Sequence, residues 1–351
     1  MTLRTVFDIL KVAATYAGTI IGAGFASGQE LMQFFVVYGS LGLAGIIVAG
    51  CLFAWLGGHI LELGNRLKAT GYHQLLYYLC GPRVGLFLDI IIAIFLFSIL
   101  TVMLAGAGTM CRDNFELPYN LGLAVMASII ILTTCHGVKG IASVNIILTP
   151  LLAMTTIVVS LYSLIYHGLN LDFSLIAAHE TQRPAPHWLL ASLLYVSYNL
   201  VMGATVLAPL GACITGKKAR MLGSIAGGIT LAALASLVTM VIMVHYPSVL
   251  EYEIPMLYIA SIQHPFNLIA YACMFLTAMF TTASASLYGC SAKLHSTTGI
   301  RFGVCIFIIT GLSLLCSQIG FANLIATIFP IFGYATLLFT LRLIYFTLCS
   351  K

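Results

Sequence analysis

Hydrophobic residues along this 351-residue chain gather into ten long runs separated by short polar connections. The runs cover approximately residues 8–38, 41–65, 84–110, 119–136, 141–167, 187–211, 219–246, 264–291, 300–318 and 320–348. About twenty apolar residues in helical form cross the hydrocarbon core of a bilayer. The pattern therefore predicts an all-α polytopic membrane protein with ten transmembrane helices. A tight turn near Gly320 separates the last two. Two connections hold enough apolar residues for helices of their own. Residues 66–83 carry Tyr72, Leu75, Leu76, Tyr77 and Tyr78, which predicts a short interfacial helix. Residues 247–263 carry Tyr252, Ile254, Met256, Leu257 and Tyr258, which predicts a short helix over one mouth of the bundle.

The connection 168–186, with Pro184 and Pro186, divides the chain into halves, 1–167 and 187–351, of five spans each. An odd number of spans per half makes the second half enter the membrane from the opposite side. Such a 5+5 inverted repeat is a common plan for secondary transporters. The first span of each half breaks the apolar pattern at mid-depth. In span 1, Gly18, Gly22, Gly24 and Gly28 each cost about 1 kcal/mol of helix stability relative to Ala. Ser27, Gln29, Glu30 and Gln33 then add polar groups. In span 6 the run is interrupted by Tyr195, Ser197, Tyr198, Asn199 and Gly203, and Pro209 follows. Helices 1 and 6 are both expected to be discontinuous. Broken backbone at membrane depth persists only where protein buries it or it lines a wet cavity. Two breaks at matching positions point to a transporter's binding site, and a carboxylate within a span, Glu30, is a functional candidate by itself. The pairs Gly18/Gly22 and Gly24/Gly28 also have the spacing of close helix packing, and that alternative stays open. Gly22-x-Gly24-x-x-x-Gly28 is one residue too long for a dinucleotide fingerprint and lies in no strand–helix unit. Glu62 reads as the i,i+4 partner of Arg66.

Composition agrees with the pattern: 61% of residues are hydrophobic and 7% charged, which places the chain among membrane proteins. The distribution of charge gives an orientation. If the spans alternate, every Lys and Arg except Arg112 and Arg183 falls on the side of the N-terminus. The positive-inside rule makes that side cytoplasmic, so both termini are expected in the cytoplasm of a cell whose plasma or inner membrane holds the protein. The opposite connections carry Asp113, Glu116, Asp172, Glu180, Glu251 and Glu253. The opening residues lack a short apolar core ending in small residues, so the first span is expected to stay in the membrane. Ten cysteines without a C-x-x-C pair, and nine histidines without H-x-x-x-H spacing, argue against a zinc site or a disulfide framework. No basic cluster interleaves with exposed aromatics, so no nucleic-acid partner is expected.

With both interrupted spans placed, the chain resembles LeuT-fold carriers of the amino acid–polyamine–organocation superfamily. More closely, Ala17-Gly-Thr-Ile-Ile-Gly-Ala-Gly-Phe-Ala-Ser-Gly-Gln-Glu30 is similar to the opening motif of the YkvI-type membrane proteins, which are grouped with amino-acid permeases. Gly137-Val-Lys-Gly-Ile-Ala142, between spans 4 and 5, extends the likeness. The resemblance implies a substrate held between spans 1, 3, 6 and 8. It would lie against Ala23, Gly24, Phe25 and Ala26, with Ser98 and Thr101 from span 3 and Tyr195, Tyr198 and Asn199 from span 6. The half-helix after the break would offer amides to a carboxylate, and the carbonyls before it would suit an ammonium. A neutral zwitterionic amino acid satisfies both. The resemblance also implies a coupling sodium ion, held by the carbonyls of Gly18, Ile21 and Ala278 and the hydroxyls of Thr281 and Thr282. No other cofactor is implied. Glu30 departs from the pattern, because a neutral residue is more usual there, and this opens a route to proton coupling or gating.

Two functional classes remain. One is a secondary active carrier; the other is a membrane receptor or sensor that binds a similar ligand without transport. An enzyme is disfavoured by the lack of metal spacing and of a nucleophile–base pair, and a channel by the lack of repeated charged rings.

Overall fold

The first apolar run folds as three helices rather than one. Helix α1 spans Leu3–Ile20, α2 Ala23–Ser27 and α3 Gln29–Phe34, and a 3-10 turn follows at Val36–Tyr38. A computed structural model describes residues 3–135, 139–169, 171–178 and 183–349. Gly137, Val138 and Glu180 lie outside the described residues. The chain continues with α4 Ser40–Leu67, α5 Tyr72–Phe115, α6 Tyr119–Cys135, α7 Lys139–His167, α8 Phe173–Ala178, α9 Trp188–Cys213 and α10 Lys217–Val244. It ends with α11 Pro255–Ser261, α12 Pro265–Thr298, α13 Phe302–Cys316 and α14 Phe321–Cys349. No strand occurs among the described residues. Among the described residues, eight helical stretches are long and apolar enough to cross a membrane. Helix α6, at 17 residues, and the interrupted α1–α3 stand at the positions of the other two expected spans.

The predicted connections are present. The short helix from Tyr72 bends into the third span at Gly81, whose φ of 75° is left-handed, just before Pro82. Tyr72 donates to Asp89 Oδ1 at 2.7 Å, and Lys293 of α12 pairs with the other oxygen of Asp89. Helix α11 is the short helix over the mouth, and the turn at Gly320 has φ 93°.

One expectation is corrected and one is extended. Helix α9 is continuous from Trp188 to Cys213, so the sixth span is not broken. Its polar side chains satisfy themselves along the helix. Ser197 Oγ donates to Leu193 O at 2.7 Å and Asn199 Nδ2 to Tyr195 O at 3.0 Å. Such i−4 bonding lets Ser and Asn sit in a helix without opening it, and Pro209 lies in the last two turns. The extension concerns Glu62, whose expected i,i+4 pair with Arg66 is present. Its contact with Arg66 is 3.5 Å, but Arg220 of α10 holds it in a fork, Nη2 at 2.7 Å and Nε at 3.2 Å. Arg220 is 3% exposed and also donates to the carbonyls of Ile214 and Thr215, at 2.5 and 3.0 Å. This cross-helix pair is therefore the principal one.

The core that carries the site is the packing of α1, α4, α9 and α10. Tyr16 of α1 is fully buried and donates to Phe53 O of α4 at 2.9 Å. Helices α4 and α9 touch backbone to backbone. A Cβ on Gly64 would lie 2.2 Å from Ala208 O, and one on Gly211 would lie 2.1 Å from Leu61 O. Small residues permit this approach, which is how helices associate where lipid removes the hydrophobic drive.

Candidate functional site

The site begins where α1 stops. The amide of Gly22 turns to Ile20 O at 2.8 Å instead of reaching back four residues, so the Gly18 carbonyl loses its helical donor. A Cβ on Gly22 would meet nothing within 4 Å, so this glycine does not serve close packing. Gly28 makes a second interruption. Its φ of 79° is left-handed, which favours glycine. Between the two, Ser27 Oγ donates to Gly24 O at 2.6 Å and accepts from the amide of Gln29 at 3.1 Å, fixing the corner between α2 and α3.

The corner folds Glu30 back toward the break. Glu30 is 5% exposed. Tyr198 of α9 donates to its Oε1, and Asn199 Nδ2 stands 3.5 Å from the same oxygen. Its Oε2 lies so near α2 that a Cβ on Gly24 would be 2.7 Å away. Gly24 is thus the residue that admits the carboxylate. No cation pairs with Glu30 among the described ion pairs. Aromatic rings close around it. Tyr198 packs on Phe34, Phe95, Phe329 and Tyr195, with ring centroids 5.3–5.9 Å apart.

The structure thereby joins four of the expected residues, Gly24, Glu30, Tyr198 and Asn199, with Tyr195 beside them. Ala23, Phe25 and Ala26 are buried in α2. Tyr271 of α12 donates to the Ala26 carbonyl at 2.5 Å and ties the eighth span to the half-helix. The span-3 hydroxyls serve their own helix: Ser98 donates to Ile94 O and Thr101 to Phe97 O, both at 3.0 Å. What α5 adds to the wall is the ring of Phe95. Phe95, Phe329 and Tyr271 escaped sequence reasoning, because an aromatic residue in an apolar run carries no mark of what it faces.

For the expected sodium ligands the geometry is partial. Gly18 is half-buried with a released carbonyl, and Ile21 is buried in the break. Thr281 is buried and donates to Ala278 O at 3.1 Å, which leaves its oxygen lone pairs free to face a cation. Thr282 is half-buried. One turn on, the Ser284 hydroxyl is buried without a hydrogen-bond partner, as is Gln29 Oε1 beside the corner.

No profile of a known protein family matches the chain. It is similar to the "Uncharacterized membrane protein YkvI" of Bacillus subtilis (strain 168), 29% identical over 346 residues, covering 97% of this chain and 95% of the relative. Among solved structures, it is similar to MhsT in complex with L-phenylalanine, with a TM-score of 0.62 and 16% identity, covering 96% of this chain and 88% of that one. It is also similar to a Na+-coupled sialic acid symporter in a substrate-bound outward-open state, with a TM-score of 0.59 and 12% identity, covering 89% and 72%. The chain thus resembles YkvI over nearly its whole length and shares the LeuT fold of these solved structures, with eight helices, among the described residues, long and apolar enough to cross a membrane.

Proposed function

We propose that the protein is a secondary active carrier of a small zwitterionic solute, a neutral amino acid, working by alternating access with sodium as the coupling ion. The observation that carries this reading is Glu30: a buried carboxylate at a helix break, with no cation paired to it among the described residues, enclosed by aromatic rings. An unpaired buried charge is expensive, and an ammonium group relieves it, both by ion pairing and by lying over ring faces. In the structure Glu30 stands over the first turn of α2, where the cargo's carboxylate is expected. Binding a zwitterion exchanges partners. The cargo's carboxylate takes the amides of Ala23 to Phe25, since that of Ala26 already donates to Gly22 O at 3.0 Å, and its ammonium takes Glu30 and the carbonyls released at the end of α1. Tyr195, Tyr198, Phe95 and Phe329 wall the side chain and favour an apolar one. Sodium sits between Gly18, Ile21, Ala278, Thr281 and Thr282. Both termini are cytoplasmic, and the face carrying α11 is external.

Isothermal titration of the purified protein against neutral amino acids, with and without sodium, tests the reading. Gly24→Leu, which fills the place of the Glu30 carboxylate, should abolish binding, and Thr281→Ala should weaken its sodium dependence. If no amino acid binds, or if Gly24→Leu binds as the parent does, this pocket is wrong. A second reading follows from the same carboxylate: Glu30 carries a proton as the coupled ion. Uptake that follows a pH gradient, ignores sodium and is lost in Glu30→Gln would favour it over sodium.

A further inference from the structure

Above the broken segment lies a lid formed by the 3-10 turn Ser248–Glu251 and α11. Met256, Leu257, Ile259 and Ala260 are buried beneath it. Met256 rests on the corner itself, since a Cβ on Gly28 would be 2.9 Å from Met256 Cγ and 2.8 Å from Ile242 Cδ1. Helix α11 therefore closes the external route to Gly24 and Glu30.

One side chain fastens this lid to the far wall. Glu253, two residues before α11, accepts from two elements at once. Arg112 Nη2 of α5 reaches its Oε1 at 2.9 Å. Its Oε2 receives Thr109 Oγ1 of α5 at 3.2 Å and the amide of Ala322, at the start of α14, at 3.1 Å. The left-handed turn at Gly320 presents that amide, and a Cβ on Gly320 would lie only 3.6 Å from Glu253 Oε2. Arg112 is itself positioned, by Asp113 at 2.7 Å and over the ring of Tyr119 at 5.7 Å. The other end of the lid is fixed separately, by Gln263 Nε2 donating to Val159 O of α7 at 2.9 Å. Among the described polar contacts, the lid is thus tied to α7 at one end and, through Glu253, to α5 and α14 at the other.

Helix α14 connects this fastening to the site. Ala322 and Phe329 are seven residues apart, two turns, and so share a face. Phe329 stacks edge-on to Tyr198 at 5.3 Å and stands 3.8 Å from a Cβ on Gly24. We infer that Glu253 is the latch of an external lid, and that α14 ties the closing of that lid to the position of the aromatic wall around Glu30. Charge-assisted bonds suit a latch because they are strong when made and are replaced by water when broken. The inference goes beyond the carrier reading and depends on no particular cargo.

Hydrogen–deuterium exchange on the full-length protein in lipid nanodiscs tests it without a ligand. Glu253→Gln keeps the size, but whichever way its amide turns it sets a donor against a donor. Glu253→Ala removes the latch outright. Both variants should speed exchange in peptides covering 23–34 and 255–262 by about tenfold or more, while 217–235, at the opposite end, stays within about twofold. Arg112→Gln should produce a smaller rise in the same peptides. Unchanged exchange at 23–34 in Glu253→Ala would overturn the latch. So would an equal rise at 217–235, because Glu253 would then hold the whole fold together and not the lid.

Discussion

Replacing Tyr198 with Phe removes one hydroxyl and leaves the ring. The ring keeps its packing on Phe34, Phe95 and Phe329, at 5.7, 5.9 and 5.3 Å. The loss is therefore confined to the bond to Glu30. A hydrogen bond to a charged group contributes about 1.5–3 kcal/mol, and one between neutral groups about 0.5–1.5. Asn199 compensates little: it lies 3.5 Å from the same oxygen and is already given to Tyr195 O at 3.0 Å. With Glu30 ionised, Tyr198→Phe should thus destabilise the protein by about 2 kcal/mol. Unfolding in mixed micelles, followed by the fluorescence of Trp55 and Trp188, measures it. The discriminating experiment is a double-mutant cycle with Glu30→Gln. In the Gln background the same substitution should cost less than about 1 kcal/mol, giving a coupling of roughly 1–2 kcal/mol. Tyr16→Phe is the control. It removes a neutral bond to Phe53 O at 2.9 Å and should show no coupling to Glu30→Gln. Additive effects of Tyr198→Phe and Glu30→Gln would refute the argument, because the buried carboxylate would then not depend on Tyr198.

Gly24→Ala, whose methyl would stand 2.7 Å from Glu30 Oε2, should displace the carboxylate and reduce amino-acid binding at least tenfold by titration. Gly211→Ala, directed at Leu61 O at 2.1 Å, should cost about 1–3 kcal/mol in micelle unfolding without altering which amino acid binds the folded fraction. Arg220→Gln should cost about 3 kcal/mol, since it strands Glu62 and two carbonyls, whereas Arg66→Gln should stay within about 0.5 kcal/mol. In a background with the exposed native cysteines replaced, an impermeant maleimide should label a cysteine at 252 in intact cells. One at 217 should label only after permeabilisation, and the reverse result would invert the topology.

The break in the first span was legible because glycine is a poor helix former and lipid tolerates no unsatisfied backbone. Gly18, Gly22 and the polar run to Gln33 carry both signals. The sixth span shows the limit of that logic. Tyr195, Ser197 and Asn199 look like an interruption in a hydropathy profile, yet Ser197 and Asn199 bond to carbonyls four residues back and the helix continues. A polar side chain announces a need for a partner, not where the partner is. The same gap hid Arg220 from Glu62, 158 residues away, and Tyr198 from Glu30, 168 residues away. It also hid the hub at Glu253, which in sequence is one more acidic residue in the connection 247–263.

The continuity of α9 bears on how such a protein changes its cargo over time. An unwound helix offers main-chain groups, which every residue but proline possesses in full and which most substitutions leave in place. Of the two facing spans, only the first offers them here. The opposing wall speaks solely through side chains: Tyr195, Tyr198 and Asn199 on an intact helix riveted to α4 by the contacts at Gly64 and Gly211. Each of those side chains can be exchanged by one mutation without disturbing the backbone beneath it. On the proposed function, recognition would divide into a fixed half, suited to the invariant head of a cargo, and an editable half, free to follow whatever tail is abundant. In the proposed carrier, substitutions on the face of α9 would change the cargo while the broken first span stays as it is.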